Sequence, residues 1–356
     1  MNPLPPGSTI GILGGGQLGR MLAVAAAQLG YRCHIYAPDP DSVAADVSAE
    51  FTCAKDDDLE TLGKFADSCD VVTFEFENVP VGPLHAIEDR APLHPPIGAL
   101  DIAQNRVAEK TYARQQGGTT APFAEVTDLN SLEAAIAKIG CPAILKTVRM
   151  GYDGKGQARI KSAVSLSEHW DTVGQQHCIA EGFVTFSHEF SVILVRGQDG
   201  EIRFWETPHN VHENGILAHS LAPAPAEILA QQEPARELAA KMADAMQYVG
   251  VLTCEFFATA DGPIFNEMAP RVHNSGHWTI EGAITSQFEN HIRAICGLPL
   301  GDTGLAATRA EMHNLIGDQA DDWSGLLSDP ANHLHLYGKG ETRPGRKMGH
   351  VTKLHF

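Results

Sequence analysis

No stretch of the 356-residue chain approaches the roughly 18 consecutive apolar residues that a membrane-crossing helix needs. Basic residues are scarce too: 26 Lys and Arg stand against 44 Asp and Glu, a formal net charge of −18. That balance argues against attachment to nucleic acid or to an anionic membrane through the overall field. It leaves room for a small anionic substrate, because a few local cations outweigh diffuse charge beyond a Debye length of about 8 Å. Seven scattered cysteines include no Cys-x-x-Cys pair, which excludes a disulfide scaffold or zinc ribbon and favours a reducing cytosol. The N-terminus has no basic segment leading into an apolar one, and Ala23–Ala27 is too short and too close to Arg20 for a signal peptide, so a cytoplasmic protein is expected. A Walker A loop is absent as well. What is present, 43% hydrophobic and 20% charged residues, is ordinary for a globular chain of two or three domains.

The order of apolar runs predicts an α/β fold. Thr9–Leu13 reads as a strand ending in glycines, Leu18–Leu29 as a helix stopped by Gly30, and Arg32–Tyr36 and Asp70–Phe76 as further strands. Strand, helix, strand with short connections implies an N-terminal doubly wound parallel-sheet (Rossmann-like) domain. The proline-rich Ala91–Pro96 ends it. Ile102–Gln116 reads as one helix, Leu129–Ile139 as another, and Ala143–Val148 as a strand. Gly197–Gly200 turns one hairpin, a helix runs from Pro234 to Tyr248, and Asp261-Gly262-Pro263 turns a second hairpin between Val251–Phe257 and Ile264–Met268. The expected division is 1–103, 104–300 (a central α+β domain) and a small C-terminal domain, 301–356.

Gly14-Gly15-Gly16-Gln17-Leu18-Gly19 satisfies G-x-G-x-x-G between a strand and a helix, with Asp39 about 20 residues on, as in a dinucleotide site. Three readings stay open on these residues: an NAD site, a tight turn with no ligand, or a loop for a different nucleotide's phosphate.

Three features point to ATP. Lys146 lies within an apolar strand, where a charge needs a partner, unless the position faces solvent. Met150–Gln157, with three glycines and a lysine, directly follows and reads either as a phosphate-covering flap or as a generic glycine hairpin. Glu255 and Glu267 occupy matching places on the two hairpin arms, within about 5 Å reach of one another. Two carboxylates that close repel unless a cation such as Mg²⁺ lies between; the alternative is a solvent-facing edge.

The order strand lysine, glycine flap, E…N-E hairpin resembles the ATP-grasp superfamily. Gly14–Met21 (GGGQLGRM), Glu75-Phe76-Glu77-Asn78 and the run Arg271-Val272-His273-Asn274-Ser275-Gly276-His277-Trp278-Thr279 narrow it. Together they resemble the N5-carboxyaminoimidazole ribonucleotide synthase family of purine biosynthesis, from Ile10 to His350. The resemblance implies an ATP-grasp ligase that uses ATP and Mg²⁺ to convert bicarbonate to carboxyphosphate. That intermediate then carboxylates the 5-amino group of aminoimidazole ribonucleotide. It implies ATP contacts at Arg106 and Lys146, at the flap residues Gly151, Tyr152, Asp153, Gly154, Lys155, Gly156 and Gln157, and at the adenine linker Glu181, Gly182, Phe183 and Val184. Glu189, His212, Asn266 and Glu267 complete the nucleotide site, and Glu255 with Glu267 hold the metal. Gly16, Gln17, Leu18, Glu77, Asn78, Lys339, Arg346 and Lys347 fall to the ribonucleotide, and Tyr152, Asp153, Arg271, His273 and Asn274 to the carboxyphosphate chemistry. A homodimer is the family expectation, and a separate mutase would take the product. Among other readings, a formate-dependent glycinamide ribonucleotide transformylase shares the fold and metal pair but not the H-N-S-G-H-W-T run. An NAD-dependent oxidoreductase leaves Glu255, Asn266 and Glu267 without a role.

Overall fold

Short apolar runs punctuated by glycine and proline build three layered units in the structure, a computed structural model that describes residues 2–149 and 156–356. In the first, β1 (Thr9–Leu13), α1 (Gln17–Gln28), β2 (Arg32–Ala37), β3 (Glu50–Cys53), α2 (Leu59–Asp67) and β4 (Val71–Phe74) alternate. Their four strands form a parallel sheet in the order β3-β2-β1-β4. The strand order reverses between β1 and β4, so the carboxyl ends of these two strands open the crevice where such sheets bind ligands. Two short helices, α3 (Val81–Glu88) and α4 (Ile97–Ala103), lead out of this unit.

Here the single helix expected over 102–116 is two. Asn105 breaks it: its side-chain oxygen accepts the N–H groups of Val107 and Ala108 at 3.0 and 3.1 Å, capping a new helix, α5 (Arg106–Gln115). The break re-aims the chain so that Arg106 starts α5 with its N–H on the carbonyl of Val148.

The second unit is a small antiparallel sheet, β5-β8-β6-β7, from β5 (Phe123–Val126), β6 (Ala143–Thr147), β7 (Gln157–Ile160) and β8 (Cys178–Gly182). It is backed by α6 (Leu129–Ile139) and α7 (Leu166–Thr172) around Leu132, Leu145 and Trp170. Between β6 and β7 runs the flap, whose residues Gly151, Tyr152, Asp153, Gly154 and Lys155 lie outside the described residues.

The third is a long antiparallel sheet of β9 (His188–Arg196), β10 (Ile202–Phe204), β11 (His209–Glu213), β12 (Ile216–Ala222), β13 (Gly250–Thr259), β14 (Gly262–Ala269), β15 (Arg309–Ile316), β16 (Asn332–Leu336) and β17 (Lys347–His355). Its order is β14-β13-β9-β11-β12-β15-β17-β16, with β10 on β9. The last three strands therefore continue the central sheet through β12–β15 pairing, at the far side from the hairpin β13–β14, and the start of β17 at Lys347 reaches the cavity that the hairpin lines. Helices α8 (Ala226–Leu229), α9 (Gln232–Ala245), α10 (Thr279–Gly282), α11 (Gln287–Ile295) and α12 (Trp323–Leu326) flank it.

One core joins the first and third units: Leu22 and Ala26 of α1 share it with Ile292 and Ile295 of α11 and with Val195 and Val251 of the long sheet. Each fully buried aliphatic side chain there contributes roughly 1.5–3 kcal/mol. A polar pin reinforces it. His291 Nδ1 accepts the Val251 N–H at 3.1 Å, so the ring proton sits on Nε2 and is donated to Thr73 Oγ1 at 2.9 Å. Burial holds this histidine neutral, with its pKa down at about 3. The switch-point crevice is thereby held rigidly against β13.

Asn105→Ala removes both capping bonds of α5 and is expected to lower stability by about 1 kcal/mol, read from the midpoint of chemical denaturation.

Candidate active site

The glycine loop is folded around an acid. Gly14 sits at φ +106°, a backbone conformation that favours glycine, and a Cβ there would lie 2.6 Å from Glu75 Cγ. The N–H groups of Gly16 and Gly19 donate to the two carboxylate oxygens of Glu75, at 2.8 and 3.2 Å. The anion at the start of α1 is thus the buried carboxylate from the end of β4, standing where a dinucleotide pyrophosphate would lie. Burial pushes its pKa up, against the two N–H donors and the charges of Arg271 and Lys339. Asp39 is exposed and caps its own turn through the Asp41 N–H. The NAD reading fails on this geometry. Gln17 is half-buried at the first position of α1, and Leu18 is buried in the core behind it.

A cavity of about 560 Å³ separates the small sheet from the long one. On its small-sheet side Lys146 Nζ donates to Glu181 Oε2 at 2.8 Å, and Lys110 Nζ, almost fully buried, lies 3.3 Å from the other carboxylate oxygen. Burial alone would raise the Glu181 pKa, but the two lysines hold it down at about 2. The following linker is anchored by its backbone: Gly182 N–H donates to Pro122 O and Phe183 N–H to Pro142 O. Phe183, Phe186 and Phe257 form an apolar wall, with Phe186 stacked on Phe257 at 4.5 Å and Arg159 over Phe183 at 5.4 Å. Such a wall suits the face of an adenine base. Gly156 and Gln157, at the base of the flap, line the cavity from the same side.

On the long-sheet side Glu255 of β13 and Glu267 of β14 are direct cross-strand partners, next to a bulge in the register. Both line the cavity, as does Asn266. Burial, then the charge of Glu267, pushes Glu255 up to about 7. Burial also opposes ionisation of Glu267, yet Arg106 and Lys146 hold its pKa below the usual range, with Arg106 Nη1 donating to Glu267 Oε2 at 3.1 Å. Two facing carboxylates, one of them made hard to ionise by burial and by the other's charge, present the hard oxygen donors that Mg²⁺ takes. A third group adjoins the pair. His273 Nδ1 accepts the Ser275 N–H at 3.3 Å, which leaves the ring proton on Nε2, 3.2 Å from Glu255 Oε1. Burial and then Arg271, Lys347 and His212 keep this histidine neutral. Glu189 and His212 face each other at 3.0 Å; burial would lower the imidazole's pKa, but the surrounding carboxylates raise it.

The remaining wall faces the first unit. Glu77 and Asn78 line it, and Glu77 is ion-paired to Arg271. Asn274 is tied to Asn314 by a reciprocal amide pair, 2.9 and 2.6 Å. Lys347, first residue of β17, reaches the cavity. Lys339 donates to the Lys347 carbonyl at 2.8 Å, and Arg346 to that of Glu341 at 2.7 Å. The basic run is therefore folded against the site. Burial, followed by the charge of Arg346, brings the Lys339 pKa down to about 8.

Four functional candidates escaped sequence reasoning: Glu109, Lys110, Phe186 and Phe257. The helical spacing of Arg106, Glu109 and Lys110 (i, i+3, i+4) was a usable signal for the first two. A second cluster, His219, Glu311 and His313, brings ligand atoms within 4.8 Å. Its two imidazoles stack with planes 17° apart, and Arg309 already holds Glu311 at 2.7 Å.

Family models match three consecutive segments: "Ribonucleotide synthetase preATP-grasp domain" at residues 8–104, "ATP-grasp domain" at 111–288, and "Phosphoribosylaminoimidazole carboxylase C-terminal domain" at 310–355. An N5-carboxyaminoimidazole ribonucleotide synthase of Brucella melitensis is 46% identical over 99% of this chain and 97% of its own length. The crystal structure of the synthetase of that name from Thermus thermophilus superposes with a TM-score of 0.91 at 46% identity, covering 97% of this chain and 93% of that one. An Aspergillus clavatus N5-carboxyaminoimidazole synthase, crystallised with ADP and 5-aminoimidazole ribonucleotide, gives a TM-score of 0.90 at 32% identity over 98% of this chain and 94% of that one.

With Glu75 filling the α1 N-terminus, thermal-shift measurements are expected to show stabilisation by Mg-ADP and none by NAD.

Proposed function

The chain belongs to the N5-carboxyaminoimidazole ribonucleotide synthase family, and from that premise we propose how its residues divide the ATP-dependent carboxylation of aminoimidazole ribonucleotide. The enzyme is an ATP-grasp ligase of purine biosynthesis. The observation that carries the assignment of roles is the Glu255–Glu267 pair opening into the same cavity as Lys146, Arg271, His273 and Lys347.

In this reading the adenine lies against Phe183, Phe186 and Phe257 and bonds the linker Glu181–Val184, while Glu189, held by His212, takes the ribose hydroxyls. Arg106 and Lys146 are point charges for the phosphates, and Asn266 stands beside them. Glu255 and Glu267 would hold Mg²⁺, which when bound supplies neutralisation of charge on the phosphate oxygens. Bicarbonate sits by Arg271 and His273. Its oxygen attacks the γ-phosphorus, the bond to the ADP oxygen breaks, and carboxyphosphate forms. That species then loses phosphate to give CO₂, the 5-amino nitrogen bonds to the carbon, and the amine proton leaves to the released phosphate. Arg271 supplies positive charge there, and His273, neutral and with its proton directed at Glu255, holds the metal carboxylate in place.

Aminoimidazole ribonucleotide lies between Gly16–Leu18 and Glu77–Asn78, its phosphate toward Lys339, Arg346 and Lys347. Asn274 acts through Asn314 as part of the wall and not as a free side chain. Tyr152, Asp153 and the flap glycines cover the fragile intermediate, since water would hydrolyse it. The division into 1–103, 104–300 and 301–356, a homodimer, and a separate mutase consuming the product complete the proposal.

Glu267→Gln is expected to reduce bicarbonate-dependent ADP release at least roughly 100-fold, the upper end of what losing even an outer metal partner costs. Full turnover in that variant would refute the metal assignment.

Ribonucleotide affinity should depend on pH through Lys339. A lysine titrating at about 8 loses its charge as the pH rises through that value. The KM for aminoimidazole ribonucleotide is expected to rise by roughly tenfold between pH 7 and 9, the worth of one charge-assisted bond. Lys339→Gln should flatten that profile.

A further inference from the structure

Helix α5 turns one face toward the strand that carries Glu267, and three side chains on it each take a different residue of β14. Arg106 Nη1 donates to Glu267 Oε2 at 3.1 Å, Glu109 Oε1 accepts the Met268 N–H at 2.6 Å, and Lys110 Nζ donates to the Asn266 carbonyl at 2.9 Å. Strand β14 lies at the edge of its sheet; the Phe265 N–H is taken by the Thr119 carbonyl at 2.8 Å, and α5 faces the backbone that follows, from Asn266 to Met268. Glu109 and Lys110 are each only 2% exposed. Leucine or alanine would cover an edge at lower desolvation cost; a buried carboxylate and ammonium give directional bonds to two defined backbone atoms.

We infer that Glu109 and Lys110 are positioning residues that clamp the backbone on both sides of Glu267, so that its carboxylate stands opposite Glu255. Lys110 does this in common with the nucleotide side. The same ammonium lies 3.3 Å from Glu181, whose other oxygen takes Lys146, so one buried lysine sets both the metal strand and the phosphate lysine of the small sheet. The inference rests on the reading that Glu255 and Glu267 hold Mg²⁺.

The test is calorimetric ADP binding to the full-length protein, once with Mg²⁺ and once in EDTA. Glu109→Leu leaves the Met268 N–H without an acceptor and is expected to weaken Mg-ADP binding roughly 10- to 100-fold while leaving metal-free ADP binding unchanged. Glu109→Gln keeps an acceptor oxygen in the same place and should restore Mg-ADP affinity. Lys110→Met fills the same space without the ammonium. It should weaken metal-free binding through Glu181 and Mg-ADP binding further still, and it carries the test should Glu109→Leu not fold. A soluble Glu109→Leu or Lys110→Met protein that keeps the wild-type ratio of the two affinities, even with a lowered melting temperature, overturns the clamp. A wild-type protein whose ADP affinity ignores Mg²⁺ would instead overturn the metal assignment beneath it.

Discussion

Two carboxylates facing one another across a hairpin repel unless positive charge lies between or beside them, and the surroundings of Glu255 and Glu267 answer that repulsion. Burial makes it severe, since the hairpin is backed by Cys254, Phe256 and Phe265 of an apolar core. The two acids are not treated alike. Glu267 is kept ionised by Arg106 and Lys146, whereas at Glu255 burial and the charge of Glu267 outweigh the opposing charges of His212 and Lys347, and it remains hard to ionise. A divalent cation would complete an arrangement that the protein alone leaves electrostatically half-answered. The buried lysines and arginine nearby belong to the same balance: in a chain of net charge −18, cations are drawn to where acids have been desolvated.

The first unit shows how one loop geometry serves different chemistry. A glycine loop entering a helix offers N–H groups to an anion, and in a dinucleotide fold that anion is a ligand. Here β4 delivers Glu75 into the position, and Gly14 and Gly16 leave the space that its carboxylate fills. The loop is thereby pre-ordered without ligand.

Strands β1, β2, β4 and β6 and the hairpins β9–β10 and β13–β14 were legible, because apolar runs bounded by glycine turns are local signals; the other strands and the order within the sheets were not. The Glu255–Glu267 register followed from the tight turn at Asp261-Gly262-Pro263. The split at Asn105 was hidden, since 102–116 keeps helical composition throughout and only the cap geometry reveals the break. The role of Lys110 was not legible, because its partners are a backbone carbonyl 156 positions away and the Glu181 carboxylate of a different sheet. Phe186 and Phe257 carried no signal in the sequence, since their stacking depends on the pairing of β9 with β13, which lie far apart along the chain. Glu75 belonged to a recognisable run, but its role as an internal anion is written in three dimensions only. Of the site residues named from resemblance, most of those described line one cavity, Asn274 among them, whereas Gly16, Gln17, Leu18, Glu181, Gly182, Val184, Lys339 and Arg346 lie outside its lining.

The continuation of the central sheet by β15, β16 and β17 explains how Lys347 of a basic C-terminal run comes to line the same cavity as Glu77 and Asn78 of the first unit. A separately tethered domain would have to order its cations at the moment of binding, at the cost of their conformational freedom. Strand pairing removes that freedom in advance: β17 is fixed by β15 on one side and β16 on the other, so Lys347 enters the cavity at a set height. Lys339 is then placed by its bond to the Lys347 carbonyl. Its lowered pKa is the electrostatic consequence of holding an ammonium partly buried beside other cations before any phosphate arrives. A phosphate would relieve that strain, so the same packing that weakens the free lysine's charge favours an anion at this end of the cavity and not at the acidic end around Glu255.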